Sequence, residues 1–310
     1  MNYLDKLAVA AKQTGSIVCL GLDPVPEQMH PPTLPPAPWF KTTHFFEALF
    51  REMKDQNVLP GAFKPNQGFY NVMDTPYECE GRFMGLRTLG KVFGMIKDEF
   101  PDIPIILDYK RGDIAKSSAN YAREGFESWK ADAVTISPYM GSDSVGPFTE
   151  YCSDDKGKGV YILNRTSNKG SADFQDLKVE VDGEQIPLYQ AVAEKIVEWS
   201  KGKPGVGAVV GATSPEELSN LAKLYADKNI ALLIPGVGSQ GGSAPDITAR
   251  LNEAGYDLGL ARINSSSGIT QPWAKDAVLR DSLEGDNWKN WAKVCVAELD
   301  KLNKEIGYKG

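Results

Sequence analysis

Residues 103–114 read IPIILDYKRGDI, and this stretch shows the unit from which the rest of the chain is built. A short continuous apolar run is followed by charged residues and a glycine, and a helical pattern begins after them. Continuous rather than alternating apolar runs are typical of parallel strands that are buried on both faces. The stretch therefore predicts a buried parallel strand that carries Asp108 and Lys110 at its carboxyl end.

The same unit recurs along the chain, each time as an apolar run followed by a polar loop and a helical pattern. The runs are Ile17–Leu22, Val58–Phe63, Ile103–Leu107, Ala133–Ile136, Gly159–Leu163, Val206–Val210, Ile230–Ile234 and Leu258–Ile263. Eight such units predict an α/β protein, a closed (β/α)8 TIM barrel in which residues 1–310 form a single domain. An open doubly wound sheet is the alternative, but no GxGxxG follows the first run and no Walker motif is present.

One connection has an unusual composition. Residues 31–38 read PPTLPPAP and lie between the first predicted strand and its helix. A proline run of this kind favours a stiff polyproline surface loop, with a wall or lid beside the site as the functional alternative.

The composition limits the chemistry that the chain can perform. The two histidines, His30 and His44, lie near no other candidate ligand, which excludes a multi-histidine metal site and disfavours Ser-His-Asp or Cys-His catalysis. The four cysteines form no CxxC, so we expect reduced thiols. A net charge of −7 gives no general attraction to nucleic acid or membranes. Without a signal-like or 18-residue apolar stretch, we expect a cytoplasmic protein.

Charged residues are expected to meet at the mouth of the barrel, where active sites of this fold lie. Residues two apart on a strand share a face, so Asp108 and Lys110 should point the same way. Lys64 follows the neighbouring strand, and Asp113 comes after the turn at Gly112. Ordinary ion pairs are the alternative for a bare DxKxxD string. At a strand end, however, the pattern predicts an alternating Lys-Asp-Lys-Asp catalytic array, since buried charges are costly unless paired.

Glycine-rich turns follow the seventh and eighth runs, PGVGSQGG at 235–242 and NSSSG at 264–268. Backbone N–H groups in such turns can point at phosphate oxygens, and this pair of strands often holds the phosphate site of a TIM barrel. We therefore expect an anionic small molecule with a phosphate group.

Taken together, these motifs resemble the orotidine 5′-phosphate decarboxylase family, in particular its longer subgroup. The motifs are CLGLDP (19–24), KPN (64–66), DYKRGDI (108–114), SPYMGSDS (137–144), TSNKGSADFQ (166–175), PGVGSQGG (235–242) and INSSSGI (263–269). The resemblance implies decarboxylation of orotidine monophosphate, a nucleoside monophosphate, to uridine monophosphate. It also implies that no metal or organic cofactor takes part, and that the protein is a homodimer with active sites at the interface.

The resemblance also implies roles for individual residues. Asp108 would lie against the substrate carboxylate, Lys110 would donate a proton to C6, and Asp113 would come from the partner subunit. Lys64, the fourth catalytic residue, would link the ribose to Asp108. The implied substrate-binding residues are Asp23, Asn66, Ile114, Ser117, Ser137, Asn168, Gly238, Gln240 and Ser267.

One position departs from the family pattern. Ser267 stands where the family usually has an arginine that clamps the phosphate, and a serine hydroxyl replaces a charged bidentate fork. Arg262, five residues earlier, cannot be assumed to substitute for it. Two alternatives stay open: a Mg²⁺-dependent sugar-phosphate decarboxylase or synthase of the same suprafamily and, because of Ser267, a non-catalytic barrel that binds a nucleotide phosphate.

Overall fold

A computed structural model describes residues 1–29, 37–77, 82–237, 241–283 and 290–310. Ten strands lie in this part of the chain: β1 (Val18–Leu22), β2 (Ala62–Pro65), β3 (Ile106–Arg111), β4 (Ala133–Ile136), β5 (Gly159–Arg165), β6 (Lys178–Val181), β7 (Glu184–Pro187), β8 (Val206–Val210), β9 (Ala231–Ile234) and β10 (Ala261–Ser265).

Eight of these strands form one parallel sheet that closes on itself. Their order is β2-β1-β10-β9-β8-β5-β4-β3, and parallel bridges from Phe63 to Ile105 and from Asn66 to Asp108 join the two ends. The predicted (β/α)8 TIM barrel is therefore confirmed, and the open doubly wound alternative is wrong.

Helices surround the barrel. They are α1 (Tyr3–Thr14), α2 (Pro38–Gln56), α3 (Gln67–Asn71), α4 (Met84–Glu99), α5 (Ala115–Arg123), α6 (Ser142–Thr149), α7 (Leu188–Trp199), α8 (Pro215–Ala226), α9 (Ala244–Glu253), α10 (Ser267–Thr270), α11 (Ala277–Ser282) and α12 (Trp291–Ile306). Within the described ranges, no helix combines the length and the apolar character needed to cross a membrane. Of the proline-rich loop predicted at 31–38, residues 31–36 lie outside the described residues, and Pro38 begins α2.

The strands differ from the predicted runs mainly at their ends. β2 begins at Ala62 rather than at Val58, because Pro60 has no N–H to donate to a ladder. Gly61 also passes so close to helix α1 and the turn after it that a Cβ would lie 2.3 Å from the carbonyl oxygen of Ser16. β3 continues to Arg111, beyond the predicted end, and this extension carries the charged residues.

An antiparallel hairpin of β6 and β7 was not predicted. It lies in the connection between β5 and α7, outside the barrel sheet. Its turn is formed by Asp182 and Gly183, whose φ angles of 51° and 86° are both positive. Asp-Gly is a favoured pair for such a two-residue turn because both positions need left-handed backbone.

Candidate active site

A cavity of about 640 Å³ lies at the carboxyl ends of the barrel strands. Each of the eight barrel strands contributes at least one residue to its wall, either from its last positions or from the loop that follows. Parallel strands bring their carboxyl ends to one side of a barrel, so residues distant in sequence converge there.

Two lysines and one aspartate form the charged end of the cavity, which consists of Lys64, Asp108 and Lys110. Lys64 Nζ lies 2.9 Å from Asp108 Oδ2, and Lys110 Nζ lies 2.6 Å from Asp108 Oδ1. The side chains of Lys64 and Asp108 are only 5% and 7% exposed, whereas that of Lys110 is 50% exposed. The structure thus joins three of the four residues in the predicted array, all three line the cavity, and Lys110 is the most exposed of them.

The charged groups at this end keep one another ionised. Burial alone would raise the pKa of Asp108, but the ion pairs with Lys64 and Lys110 outweigh it and hold that pKa well below its usual range. Burial would likewise lower the pKa of Lys64, and the carboxylates of Asp108 and Asp23 outweigh it and raise that pKa. A carboxylate flanked by ammonium groups is therefore stable in a place nearly closed to water.

The backbone that presents these groups is not a regular strand. The register between β3 and β4 shifts between Leu107 and Arg111, and Lys110 has a φ of 44°, in the left-handed region. Simple alternation predicted that Asp108 and Lys110 would share a face. They do meet, but through this bulge rather than through a flat strand.

Thr135 of β4 also belongs to the charged end and was missed by the sequence analysis. Its Oγ1 donates to Asp108 Oδ1 at 2.8 Å. The only signal in the sequence was that Thr135 is the one polar residue in the run Ala133–Ile136.

The fourth predicted member of the array, Asp113, stands apart within a single chain. Its Oδ1 accepts from the N–H of Ile114 at 2.7 Å, and neither a hydrogen bond nor an ion pair joins it to Lys110 in the described structure. Ile114 is 48% exposed, and Ser117 is also exposed. These three residues therefore form a surface beside the cavity rather than part of its wall.

The other predicted binding residues are distributed around the cavity. Asp23, Asn66 and Asn168 line it. The Oδ1 atom of Asp23 is buried and has no hydrogen-bond partner among the described residues. Asn66 Oδ1 accepts from Gly68 N at the start of α3. Ser137 packs beside Gly112 and does not contribute to the described wall.

Opposite the charged end lies the serine end, which consists of Pro235–Val237 and Ser265–Ser267. Ser267 lines the cavity as the first residue of α10. The predicted residues Gly238 and Gln240 lie outside the described residues. Gln271, a buried amide with no partner among the described residues, also borders the cavity and was not predicted.

Arg262 does not replace the missing arginine at the serine end. Its guanidinium is fully buried and donates to the carbonyl oxygens of Leu7, Gly61, Gly259 and Ala261 at 2.6–3.0 Å. Gly61 and Gly259 precede strands β2 and β10, so these contacts lie at the amino end of the barrel. The sequence left open whether Arg262 substitutes, and in the structure its guanidinium points away from the serine end.

In the part of the chain that the structure describes, no group of three or more His, Cys, Asp or Glu side chains is arranged to hold a metal ion.

Comparison with known proteins gives consistent results. The model of the orotidine 5′-phosphate decarboxylase / HUMPS family matches residues 80–280. The orotidine 5′-phosphate decarboxylase of Ralstonia pickettii is 35% identical over 305 residues, covering 98% of this chain and 99% of the relative. That of Cellvibrio japonicus is 38% identical over 303 residues, covering 96% of this chain and 97% of the relative. The solved structure of OMP decarboxylase from Leishmania donovani has a TM-score of 0.68 and 30% sequence identity to this chain. The match covers 98% of this chain and 99% of the other.

Proposed function

The chain belongs to the orotidine 5′-phosphate decarboxylase / HUMPS family, and we propose that it decarboxylates orotidine 5′-monophosphate to uridine 5′-monophosphate in pyrimidine nucleotide biosynthesis. The observation that carries this proposal is the charged end, a buried carboxylate held between two ammonium groups at the barrel mouth. Of the two ammonium groups, that of Lys110 is much the more exposed, and it is the group suited to give up a proton.

The proposed reaction has two steps at one carbon. The bond between C6 of the pyrimidine and the carboxyl carbon breaks, CO₂ leaves, and the electron pair stays on C6. The Lys110 ammonium stabilises this carbanion and then delivers a proton to it. Asp108, kept ionised by Lys64, lies against the substrate carboxylate, so the departure of CO₂ relieves a repulsion between like charges.

We assign the phosphate of the substrate to the serine end. The hydroxyls of Ser265–Ser267 and the backbone after β9 offer hydrogen-bond donors there. Asp23 and Asn66, between the two ends, are assigned to the ribose, and Ser137 and Asn168 to the pyrimidine. Binding energy at the remote phosphate can be used to hold the reacting carbon against Lys110.

The reaction is proposed to need no metal ion or organic cofactor. Purified protein should therefore convert orotidine monophosphate, followed by its absorbance change, at the same rate with and without EDTA. Loss of activity in EDTA, restored by Mg²⁺, would support a sugar-phosphate enzyme of the same suprafamily instead. Binding of uridine monophosphate without turnover would support a non-catalytic nucleotide-binding barrel.

We also propose a homodimer in which Asp113 completes the site of the partner subunit. Exposed apolar residues support this: Ile114 follows Asp113, and Tyr139, which is 86% exposed, and Met140 lie in the segment after β4, whose Ser137 packs beside Gly112. Asp113 lies beside the cavity without contacting Lys110 of its own chain.

Mixing two inactive proteins tests this arrangement. After subunit exchange between Lys110→Ala and Asp113→Ala proteins, each mixed dimer has one intact site. Random exchange should restore about a quarter of wild-type activity, since half of the dimers are mixed and half of their sites are intact. If exchange is confirmed and no activity returns, Asp113 does not act across the interface.

We place the enzyme in the cytoplasm. The described cysteines Cys19, Cys152 and Cys295 are buried free thiols, which suits a reducing compartment.

A further inference from the structure

We propose that the Thr135 hydroxyl is the positioning group that fixes both Asp108 and the backbone of Lys110. This inference rests on the proposed decarboxylase function. Thr135 is 1% exposed, lies on β4, and borders the cavity beside the charged end.

All three hydrogen-bonding positions of the hydroxyl are used. Thr135 Oγ1 accepts from the N–H of Tyr109 at 3.2 Å and from the N–H of Lys110 at 3.1 Å. A hydroxyl has two acceptor lone pairs and a single hydrogen. Because both lone pairs are occupied by N–H donors, the hydrogen must point at the third neighbour, Asp108 Oδ1, at 2.8 Å.

This arrangement follows from the bulge in β3. Where the register between β3 and β4 shifts, regular ladder bonds are interrupted, and the N–H groups of Tyr109 and Lys110 need another acceptor. The side chain of Thr135 supplies it. Lys110 has a φ of 44°, a conformation that a lysine adopts only when its surroundings hold it there.

The hydroxyl also completes the shell of Asp108. Lys64 bonds one carboxylate oxygen, while Lys110 and Thr135 share the other. Thr135 can donate to Asp108 but has no lone pair left to accept from it, so it supports the ionised carboxylate. The Thr135 side chain thus fixes the carboxylate of Asp108. Through the backbone N–H of Lys110, it also fixes the point from which the proton-donating side chain of Lys110 extends.

A merely structural Thr135 would pack in the barrel without affecting the reaction, and paired variants separate the two roles. Thr135→Val keeps the shape and removes the hydroxyl. We expect kcat to fall about 10- to 100-fold, while KM for orotidine monophosphate and Kd for uridine monophosphate stay within about threefold. Thr135→Ser retains the hydroxyl and should keep kcat within about threefold of wild type.

Thr88→Val is the matched control. Thr88 is 2% exposed and donates to the carbonyl of Met84 within α4, away from the cavity, so this variant also loses a buried hydroxyl. Its kcat should equal that of wild type. If Thr135→Val does not fold, Thr135→Ala and Thr135→Ser replace it, because these two differ only by the hydroxyl, and the serine variant should be at least about tenfold faster.

Three results would overturn the proposal: a kcat for Thr135→Val within twofold of wild type, a serine variant as slow as the alanine variant, or a loss confined to KM. If the wild-type protein itself does not turn over orotidine monophosphate, the proposed function fails first. Turnover by wild type together with an unaffected Thr135→Val would reject the role of Thr135 alone.

Discussion

The charged end and the serine end of the cavity are built in opposite ways. At the charged end, side chains from β2, β3 and β4 hold one another through ion pairs and a hydroxyl, with distances of 2.6–2.9 Å, and all but that of Lys110 are buried. At the serine end, neutral groups from the loop after β9 and from β10 and its following turn face the cavity, and no charged side chain lies among Pro235–Val237 and Ser265–Ser267. The first end is ionic, whereas the second is neutral.

This difference matches a division of labour between chemistry and binding. Proton transfer and carbanion stabilisation need charged groups that are already in place, because reorganising them during the reaction would cost activation energy. Holding a phosphate needs only sufficient donors, and serine hydroxyls can supply them at lower strength than an arginine fork. We therefore expect substitutions at the charged end to have larger effects than substitutions at the serine end.

Among the substitutions that compare the charged end with the serine end, Lys64→Met is expected to have the largest effect. It leaves Asp108 buried without one of its two cationic partners, and loss of a buried partner costs about 3 kcal/mol or more of unfolding free energy. Turnover should fall at least about 100-fold because the carboxylate is no longer held. Denaturant unfolding and steady-state kinetics measure the two effects.

Lys195→Met is the matched control, since Lys195 forms an exposed ion pair with Glu198 at 2.8 Å. It should leave stability and turnover unchanged. Equal stability of the Lys64→Met and Lys195→Met proteins would show that the charged end is not held as described.

Acid titration gives a second, smaller effect. Because the pKa of Asp108 is lower in the folded state than in the unfolded chain, its contribution to stability is complete above about pH 4 and is lost as pH falls towards the folded-state pKa. Between pH 4 and pH 2, the unfolding free energy of wild type should fall more steeply than that of Asp108→Asn, by up to about 1.4 kcal/mol per pH unit. Denaturant unfolding at each pH measures this dependence. If the unfolding free energies of the two proteins fell equally steeply with pH, the lowered pKa of Asp108 would be contradicted.

The smallest effect is expected at the serine end. Ser267→Arg adds a charged fork to the cavity wall and should lower KM for orotidine monophosphate by about tenfold, with little change in kcat. Steady-state kinetics at fixed ionic strength would measure this. A large change in kcat would show that the two ends are not separate in function.

Local sequence patterns predicted the charged end better than its supporting structure. The apolar runs revealed the barrel, and the position of Lys64, Asp108 and Lys110 just after two of those runs placed them in one cavity. The bulge in β3 was not predictable, because it depends on pairing with β4, which is distant in sequence. For the same reason Thr135 was overlooked, since its role appears only when the two strands lie side by side.

The hairpin of β6 and β7 was missed for a different reason. Its signal, the Asp182–Gly183 pair, was present in the sequence, but the strands are short, exposed and lie outside the barrel. Counting buried apolar runs finds strands that are buried on both faces and overlooks those that face solvent.

The central claim is that Lys110 supplies the proton to C6, and the Lys110→Ala variant tests it most directly. Its side chain is half exposed, so folding should be retained, and Lys223→Ala, from the exposed face of α8, provides the control. The account predicts that kcat for orotidine monophosphate falls at least about 1,000-fold while the protein still binds uridine monophosphate. A folded Lys110→Ala protein with near-normal turnover would contradict it.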